Sequence, residues 1–311
     1  MKAIVYDKRS SGKVLSLREV AKPAPADGQV LVKVVNASVN AADYRSISMG
    51  ILPSGKIIGA DVSGVVEAVG GNCHRFKVGD AVFGDLAGAG FGGFAEYVAA
   101  PEKLLALKPD AVSFVDAAAV PMAALTALQG LRNVGKIRPG MQVLIHGAGG
   151  GVGTFAVQLA KYFGAQVTAV CGAGSVETVR SLGADSIIDY TKEDIAQSRK
   201  QFDVILGVNG SQPLRVYRRL LKPGGILVMI GGALSQIIKT MVLGPIVSLG
   251  RRKMRLLSAK PDPDDLAFII RLVEEGQLKP VIDRVYPLDQ AADGVRYLRL
   301  GHARGKVIIT I

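Results

Sequence analysis

Residues 143–153 read Val-Leu-Ile-His-Gly-Ala-Gly-Gly-Gly-Val-Gly, a short apolar run that passes through glycines directly into a helical pattern at 154–163. A strand that breaks on glycines and restarts as a helix must turn sharply. It then presents the helix's first amides, which have no partner inside the helix. Aligned on Gly150 and Gly153, the spacing is that of a G-x-G-x-x-G turn with Ala148 in the first glycine place. Ala148 is small enough for the tight turn. Gly150, followed by Gly151 and Val152, lets the backbone approach a pyrophosphate, and Gly153 lets helix and strand pack closely. A glycine-rich turn without a ligand is the alternative; the strand–turn–helix context favours a dinucleotide site.

The rest of the chain is organised around this unit. Further apolar runs at 167–170, 186–189, 204–208, 226–230 and 254–257 alternate with helical stretches, which predicts an α/β domain with a doubly wound parallel sheet of six strands. Residues 1–112 read differently, as short strands at 29–35, 62–69 and 94–98 with a turn and strand at 78–83. That spacing argues for a mostly β, barrel-like domain. After Pro261 one helix is expected at 265–275, then strand-like segments at 281–286 and 306–311 that return to the first domain. The expected division is therefore 1–112 with 258–311 as the catalytic or substrate domain, and 113–257 as the dinucleotide-binding domain. At 311 residues the chain exceeds what one core usually serves.

Cofactor choice turns on the end of the second strand of that sheet, where NAD enzymes place an acid for the ribose 2′-hydroxyl. Here the chain reads Cys171-Gly172-Ala173-Gly174-Ser175. No acid stands there to repel a 2′-phosphate; Ser175 can donate to one, and Arg180 or Lys192 add charge nearby. NADPH is expected over NADH. Ser175 also reads as the N-cap of a helix at 176–182, and the two roles are compatible.

Charge and composition exclude other classes. With 38 Lys plus Arg against 26 Asp plus Glu the chain carries +12, but apart from Arg251-Arg252-Lys253 the charges are scattered. No aromatic-interleaved basic motif accompanies them, so nucleic acid is not the expected partner. The longest apolar stretch, 237–249, is interrupted by Lys239, Thr240 and Pro245, and predicts no transmembrane helix. No secretion signal precedes the first strand and only Cys73 and Cys171 occur, so a cytoplasmic protein is expected.

Several blocks in order resemble the zinc-free quinone oxidoreductase and zeta-crystallin branch of the medium-chain dehydrogenase/reductases. They are Asn40-Ala41-Ala42-Asp43, 59–66 (Gly-Ala-Asp-Val-Ser-Gly-Val-Val), Val78-Gly79-Asp80, 92–97 (Gly-Gly-Phe-Ala-Glu-Tyr), Leu125-Thr126-Ala127, the glycine loop, 181–185 (Ser-Leu-Gly-Ala-Asp) and the closing 301–307. The resemblance implies a GroES-like barrel beside the Rossmann sheet, and reduction of a quinone or α,β-unsaturated carbonyl by NADPH. In zinc-dependent relatives the first block reads Cys-His-x-Asp and the second Gly-His-Glu; here Asn40 and Ala60 hold the Cys and second His places. Two ligands are missing, as is a four-cysteine lobe, and no zinc is expected.

By the same resemblance Asn40 and Thr126 line the nicotinamide pocket, Tyr190 lies near the adenosine phosphate, and Val208 with Gly231 borders the nicotinamide. Asn40 also reads as a turn residue, Thr126 as a helix residue bonding its own backbone, and Tyr190 as strand-end packing. Tyr44 is the candidate acid beside Asn40, against a rim aromatic. Asp43 reads as a carboxylate bonding backbone amides, and His146 and Cys171 as structural residues. Residues 235–253 suggest a substrate-side or subunit-facing segment, with peripheral membrane contact as the alternative. A homodimer is implied, pairing 226–230 and 254–257 at a sheet edge. Two other functions remain open: an enoyl-thioester reductase on the same scaffold, and a nicotinamide-sensing or RNA-binding protein with little turnover.

Overall fold

The computed structural model describes residues 1–9, 12–232, 240–241, 244, 248 and 250–311. Most of the segment 235–253 singled out above lies outside the described residues. By contacts the chain divides into two units, Met1–Leu125 with Lys260–Gly276 and Pro280–Ile311, and Thr126–Ala259 with Gln277–Lys279.

In the first unit β1 (Lys2–Arg9) and β2 (Gly12–Glu19) form an antiparallel hairpin. The main sheet comprises β3 (Gln29–Val39), β4 (Asp61–Val69), β5 (Ala81–Asp85), β6 (Tyr97–Pro101), β7 (Leu105–Leu107), β14 (Ile282–Pro287) and β15 (Lys306–Thr310). Its order is β14-β15-β3-β4-β5-β7, with β6 also paired to β3. β3 is long because Val30, Val32, Val34, Ala37 and Val39 are all buried, and it carries two register shifts against β4 that bend it around the core. α1 (Ala41–Ser48) follows β3, and α2 (Phe114–Ala119) is capped by the Ser113 hydroxyl on the Asp116 amide. The closing strand β15 lies between β14 and β3, parallel to the first and antiparallel to the second.

The second unit is a six-stranded parallel sheet in the order β10-β9-β8-β11-β12-β13. Its strands are β8 (Gln142–His146), β9 (Gln166–Cys171), β10 (Ser186–Asp189), β11 (Phe202–Gly207), β12 (Leu221–Met229) and β13 (Lys253–Leu256). α3 (Pro121–Leu128) leads into it, and α4 (Gly151–Tyr162), α5 (Val176–Ser181) and α6 (Leu214–Leu220) join its strands. The central strands are buried nearly throughout, which is why they read as continuous apolar runs rather than alternating ones. β12 begins earlier than its apolar run: Leu221 pairs with Phe202, the chain bulges, and pairing resumes at Ile226 with Val204. Lys222-Pro223-Gly224-Gly225 reads as a turn, and the bulge is how the strand accommodates it. β12 pairs on both sides, so among the described residues only β13, not the 226–230 strand, leaves that side of the sheet unpaired.

Two helices follow. α7 (Pro263–Glu274) starts where Asp262 accepts from the Asp264 and Asp265 amides at 3.0 Å with proline next to the cap. α8 (Ala291–Arg299) was not anticipated, because Asp293 and Gly294 break its apolar pattern. Burial decides it: Ala291 and Val295 pack into the first unit's core, and a Cβ at Gly294 would stand 3.2 Å from Ile309 and Tyr286. The strand expected at 94–98 is instead Tyr97–Pro101, with Ala95 held by a bridge to Ala3.

Candidate functional site

The glycine loop follows β8 and opens α4, whose N-cap Gly150 contributes no side-chain cap. Its glycines answer to different neighbours. Gly147 has φ +99°, and a Cβ there would stand 2.9 Å from the Asn209 amide nitrogen. At Gly149 a Cβ would meet the Ser175 hydroxyl at 2.5 Å, and at Gly153 the Gly147 carbonyl at 2.1 Å. Ala148 is fully buried, its amide donating to the Val170 carbonyl. Gly150, unlike Gly147, Gly149 and Gly153, has room: at φ −90°, ψ 178° any residue is allowed, and the nearest described atom to its Cβ would be 4.0 Å away. Nothing among the described residues requires glycine there. Gly153→Ala is therefore expected to lower stability by about 2 kcal/mol or more through overpacking, read from urea unfolding. Gly150→Val should unfold near wild type.

Around the loop the side chains left free suit a polar ligand. Ser175 occupies the N-cap position of α5 but makes no cap bond, so that expectation fails: at ψ −1° it sits in a short helical turn already formed by 173–175. Ser175 and Thr126 are 8% and 7% exposed, and their hydroxyls have no hydrogen-bond partner among the described residues. Thr126 does not bond its own backbone. Val208 and Gly231 meet, since a Cβ at Gly231 would lie 2.5 Å from the Val208 carbonyl.

A cavity of about 330 Å³ lies at this end of the sheet, lined by His146, Gly147, Tyr190, Asn209 and the acids Glu193 and Asp194. Tyr190 is exposed, and its hydroxyl stands over Gly172, where a Cβ would approach it to 2.8 Å. His146 shares a 2.8 Å hydrogen bond with the buried Tyr217, a partner the sequence did not reveal. Burial lowers the imidazole to about 4, so it is neutral, and raises the phenol to about 12. Burial, with Asp189 nearby, raises the Cys171 thiol to about 11, which makes it inert. The cations assigned to a phosphate are engaged elsewhere: Arg180 pairs with Glu177, and Lys192 lies 4.0 Å from Asp189.

In the first unit Asn40 belongs to a buried ionic cluster. Asp61 Oδ2 accepts from Asn40 Nδ2 (2.8 Å), the Ser38 hydroxyl (3.0 Å) and Lys306 Nζ (3.4 Å), and Asp61 Oδ1 from the Met122 amide (3.1 Å). Asn40 Nδ2 also donates to the Ser38 carbonyl at 3.3 Å, and Asn40 Oδ1 accepts from Lys306 Nζ at 2.7 Å. Both amide hydrogens are thus committed, and Asn40 can offer a ligand only an acceptor. Asp43 accepts from the Asn40 amide at 2.6 Å and the Ala60 amide at 3.0 Å, the structural role expected of it. Burial raises Asp43 and Asp85 to about 7 and pushes Asp61 up against the pull of Lys306 and its other donors.

Lys306 is only 3% exposed. Sequence reading passed over it as part of a closing strand; a lysine inside an apolar β-strand pattern was the available signal. Tyr44 is not brought to this cluster. It packs on the apolar core and lines a separate cavity with Tyr6 and Arg299. Among the described residues no group of three His, Cys, Asp or Glu is arranged to hold a metal, and no helix is long and apolar enough to cross a membrane.

The chain matches two family models, the alcohol dehydrogenase GroES-like domain over residues 26–110 and the zinc-binding dehydrogenase over 182–309. It is 35% identical to the chloroplast envelope quinone oxidoreductase homolog of Arabidopsis thaliana, over 99% of this chain and 98% of that one. It is 35% identical to the NADPH-dependent alkenal/one oxidoreductase of the same plant, over 99% and 79%. The structure of the quinone oxidoreductase from Coxiella burnetii superposes with a TM-score of 0.89 at 28% identity, covering 100% of this chain and 99% of that one. With a glycine loop opening a parallel sheet and a GroES-like sheet beside it in sequence, the chain belongs to the medium-chain dehydrogenase/reductase family, in its quinone oxidoreductase branch.

Proposed function

We propose that the chain is an NADPH-dependent reductase that delivers hydride to a quinone or to the C=C bond of an α,β-unsaturated carbonyl, without zinc. The observation that carries the cofactor half is Gly150, a glycine that the fold leaves unexplained and a bound diphosphate explains. The bound nicotinamide supplies the hydride. The chain's own residues bind and orient: the first amides of α4 meet the diphosphate, while Ser175, Thr126 and the Tyr190 hydroxyl offer donors that no described residue consumes. Preference for NADPH rests on the acid-free turn after β9 and on the relative named for NADPH. Glu193 and Asp194 work against it, so Glu193→Gln is expected to lower the KM for NADPH about twofold while leaving that for NADH unchanged, more so at low salt.

Zinc does not fit the residues present. Asn40 and Ala60 replace a thiolate and an imidazole, and a divalent ion would have to displace the Lys306 ammonium from Asn40 and Asp61. Without a Lewis acid, alcohol oxidation loses the usual support for its alkoxide, whereas an electrophilic quinone or enone accepts hydride without one. Tyr44, away from Asn40, is not needed: solvent can protonate the reduced product. The acceptor is a small molecule, and the edge of β13, unpaired among the described residues, is the surface through which we place a homodimer.

The test follows loss of nicotinamide absorbance with a quinone, a short enone, an enoyl-thioester and no acceptor, with NADPH and NADH in parallel and chelator present or absent. Turnover of quinone or enone with NADPH, unchanged by chelator, is expected. Gly150→Val should fold and lose at least tenfold in NADPH affinity. Tight NADPH binding with no turnover on any acceptor would reject the reductase in favour of a sensor.

A further inference from the structure

A cavity of about 360 Å³ in the first unit shares no lining residue with the Asn40–Asp61–Lys306 cluster. Its floor is Leu15, Ile47 and Val295, continuous with the core between β1, α1 and α8. The polar side chains lining it are Tyr6, Tyr44, Ser48, Arg296 and Arg299. Tyr6 is 4% exposed, yet its hydroxyl has no hydrogen-bond partner among the described residues. The Tyr44 hydroxyl likewise has none. Arg296 and Arg299 stand one turn apart on α8; Arg296 is held by Asp293 at 2.8 Å, whereas Arg299 has no partner among the described residues. None of the described residues lining the cavity is acidic.

The Tyr6 hydroxyl opens onto the cavity and is uncommitted among the described residues, so it can donate to an acceptor that enters. Here that acceptor would sit beside an unpaired guanidinium and over an apolar floor. A guanidinium fork fits a carboxylate's two oxygens, and the phenols add donors to the same head. The volume is that of a small ligand site, with an apolar floor beside tyrosine and arginine side chains. We infer that this cavity binds an amphipathic carboxylate, its acid head on Arg299 with Tyr6 and Tyr44 and its hydrocarbon body, roughly six to ten carbons, on Leu15, Ile47 and Val295. The site is separate from the reductase chemistry and does not depend on that assignment.

Titration calorimetry of the full chain with octanoate, and with octan-1-ol as the neutral counterpart, tests this. Saturable binding of octanoate is expected. It should be weakened about tenfold by Arg299→Glu and about threefold by Tyr6→Phe, and be unchanged by Arg271→Glu, which makes the same charge change on α7. No saturable binding, equal binding of octanol, or Arg299→Glu within twofold of wild type would each overturn the site.

Discussion

Replacing Lys306 by methionine is expected to destabilise the protein by about 3–5 kcal/mol, the cost of leaving a buried carboxylate without its cation. The apolar stem of the side chain is kept and only the terminal ammonium is removed, so the loss is chiefly electrostatic. Asp61 would retain Ser38, Asn40 and the Met122 amide but lose the ammonium 3.4 Å away, and Asn40 Oδ1 would lose its 2.7 Å donor. In a unit of this size the melting temperature should fall on the order of 10 °C by calorimetry. Adding Asp61→Asn removes the stranded charge, and the double variant should recover more than half of the loss. A single-variant cost below about 1 kcal/mol, or no recovery in the double variant, would mean that the ion pair is incidental.

Stability should also fall as pH rises from about 5 to 8, the reverse of what ion-paired surface carboxylates produce. Asp43 and Asp85 have ordinary values of 3.8 and are raised to about 7 in the fold, chiefly by burial, with the Asp61 charge adding to each. Between those values the native state holds more protons than the unfolded chain, so raising the pH favours unfolding. The contribution is complete below about 3.8 and is lost as pH passes about 7. Asp61 moves in the same direction. The total is on the order of a few kcal/mol, because each tenfold change in proton affinity between the folded and unfolded chain is worth about 1.4 kcal/mol.

Asp85→Asn isolates one member. Asp85 Oδ1 accepts from the Ala87 amide at 2.9 Å, which an asparagine oxygen can still do, while the charge directly across the β4–β5 ladder from Asp61 is gone. The variant should gain about 1–2 kcal/mol at about pH 8, gain little at about pH 5, and show a shallower slope. A flat or rising wild-type profile would reject the raised values of Asp43 and Asp85.

Much of this was legible in the sequence, and the remainder was hidden for physical reasons. The parallel strands were visible because both faces of a central strand are buried, so Val143–Ile145 or Ile205–Leu206 need no alternation to be recognised. The glycine loop was visible because strand, glycines and helix follow one another locally. α8 was hidden because its helicity is decided by tertiary burial of Ala291 and Val295, and Gly294 signals a close approach only once Ile309 and Tyr286 are in place. For Asn40, sequence marked the position but not the state of its amide, which depends on a lysine 266 positions away. Tyr44 was placed beside Asn40 by chain proximity; on α1 the two side chains diverge, one to the ionic cluster and the other to the Arg299 cavity. Ser175 was read as a cap because the residue type suits one, and the helical turn at 173–175 removes the geometry.

The place of β15 in the sheet has a consequence for how the protein is made. Its seat beside β3 joins residues 306–310 to residues 36–39, so the first unit stays incomplete until residue 310 has been synthesised and has left the ribosome. The second unit, contiguous but for Gln277–Lys279, has almost all of its strands out of the exit tunnel well before that. Synthesis thus inverts the usual N-terminal-first order of domain folding. Until Lys306 arrives, Asp61 has no cation from β15 and β3 has no partner on that side. The nascent first unit is then the stage most exposed to aggregation and most dependent on chaperones.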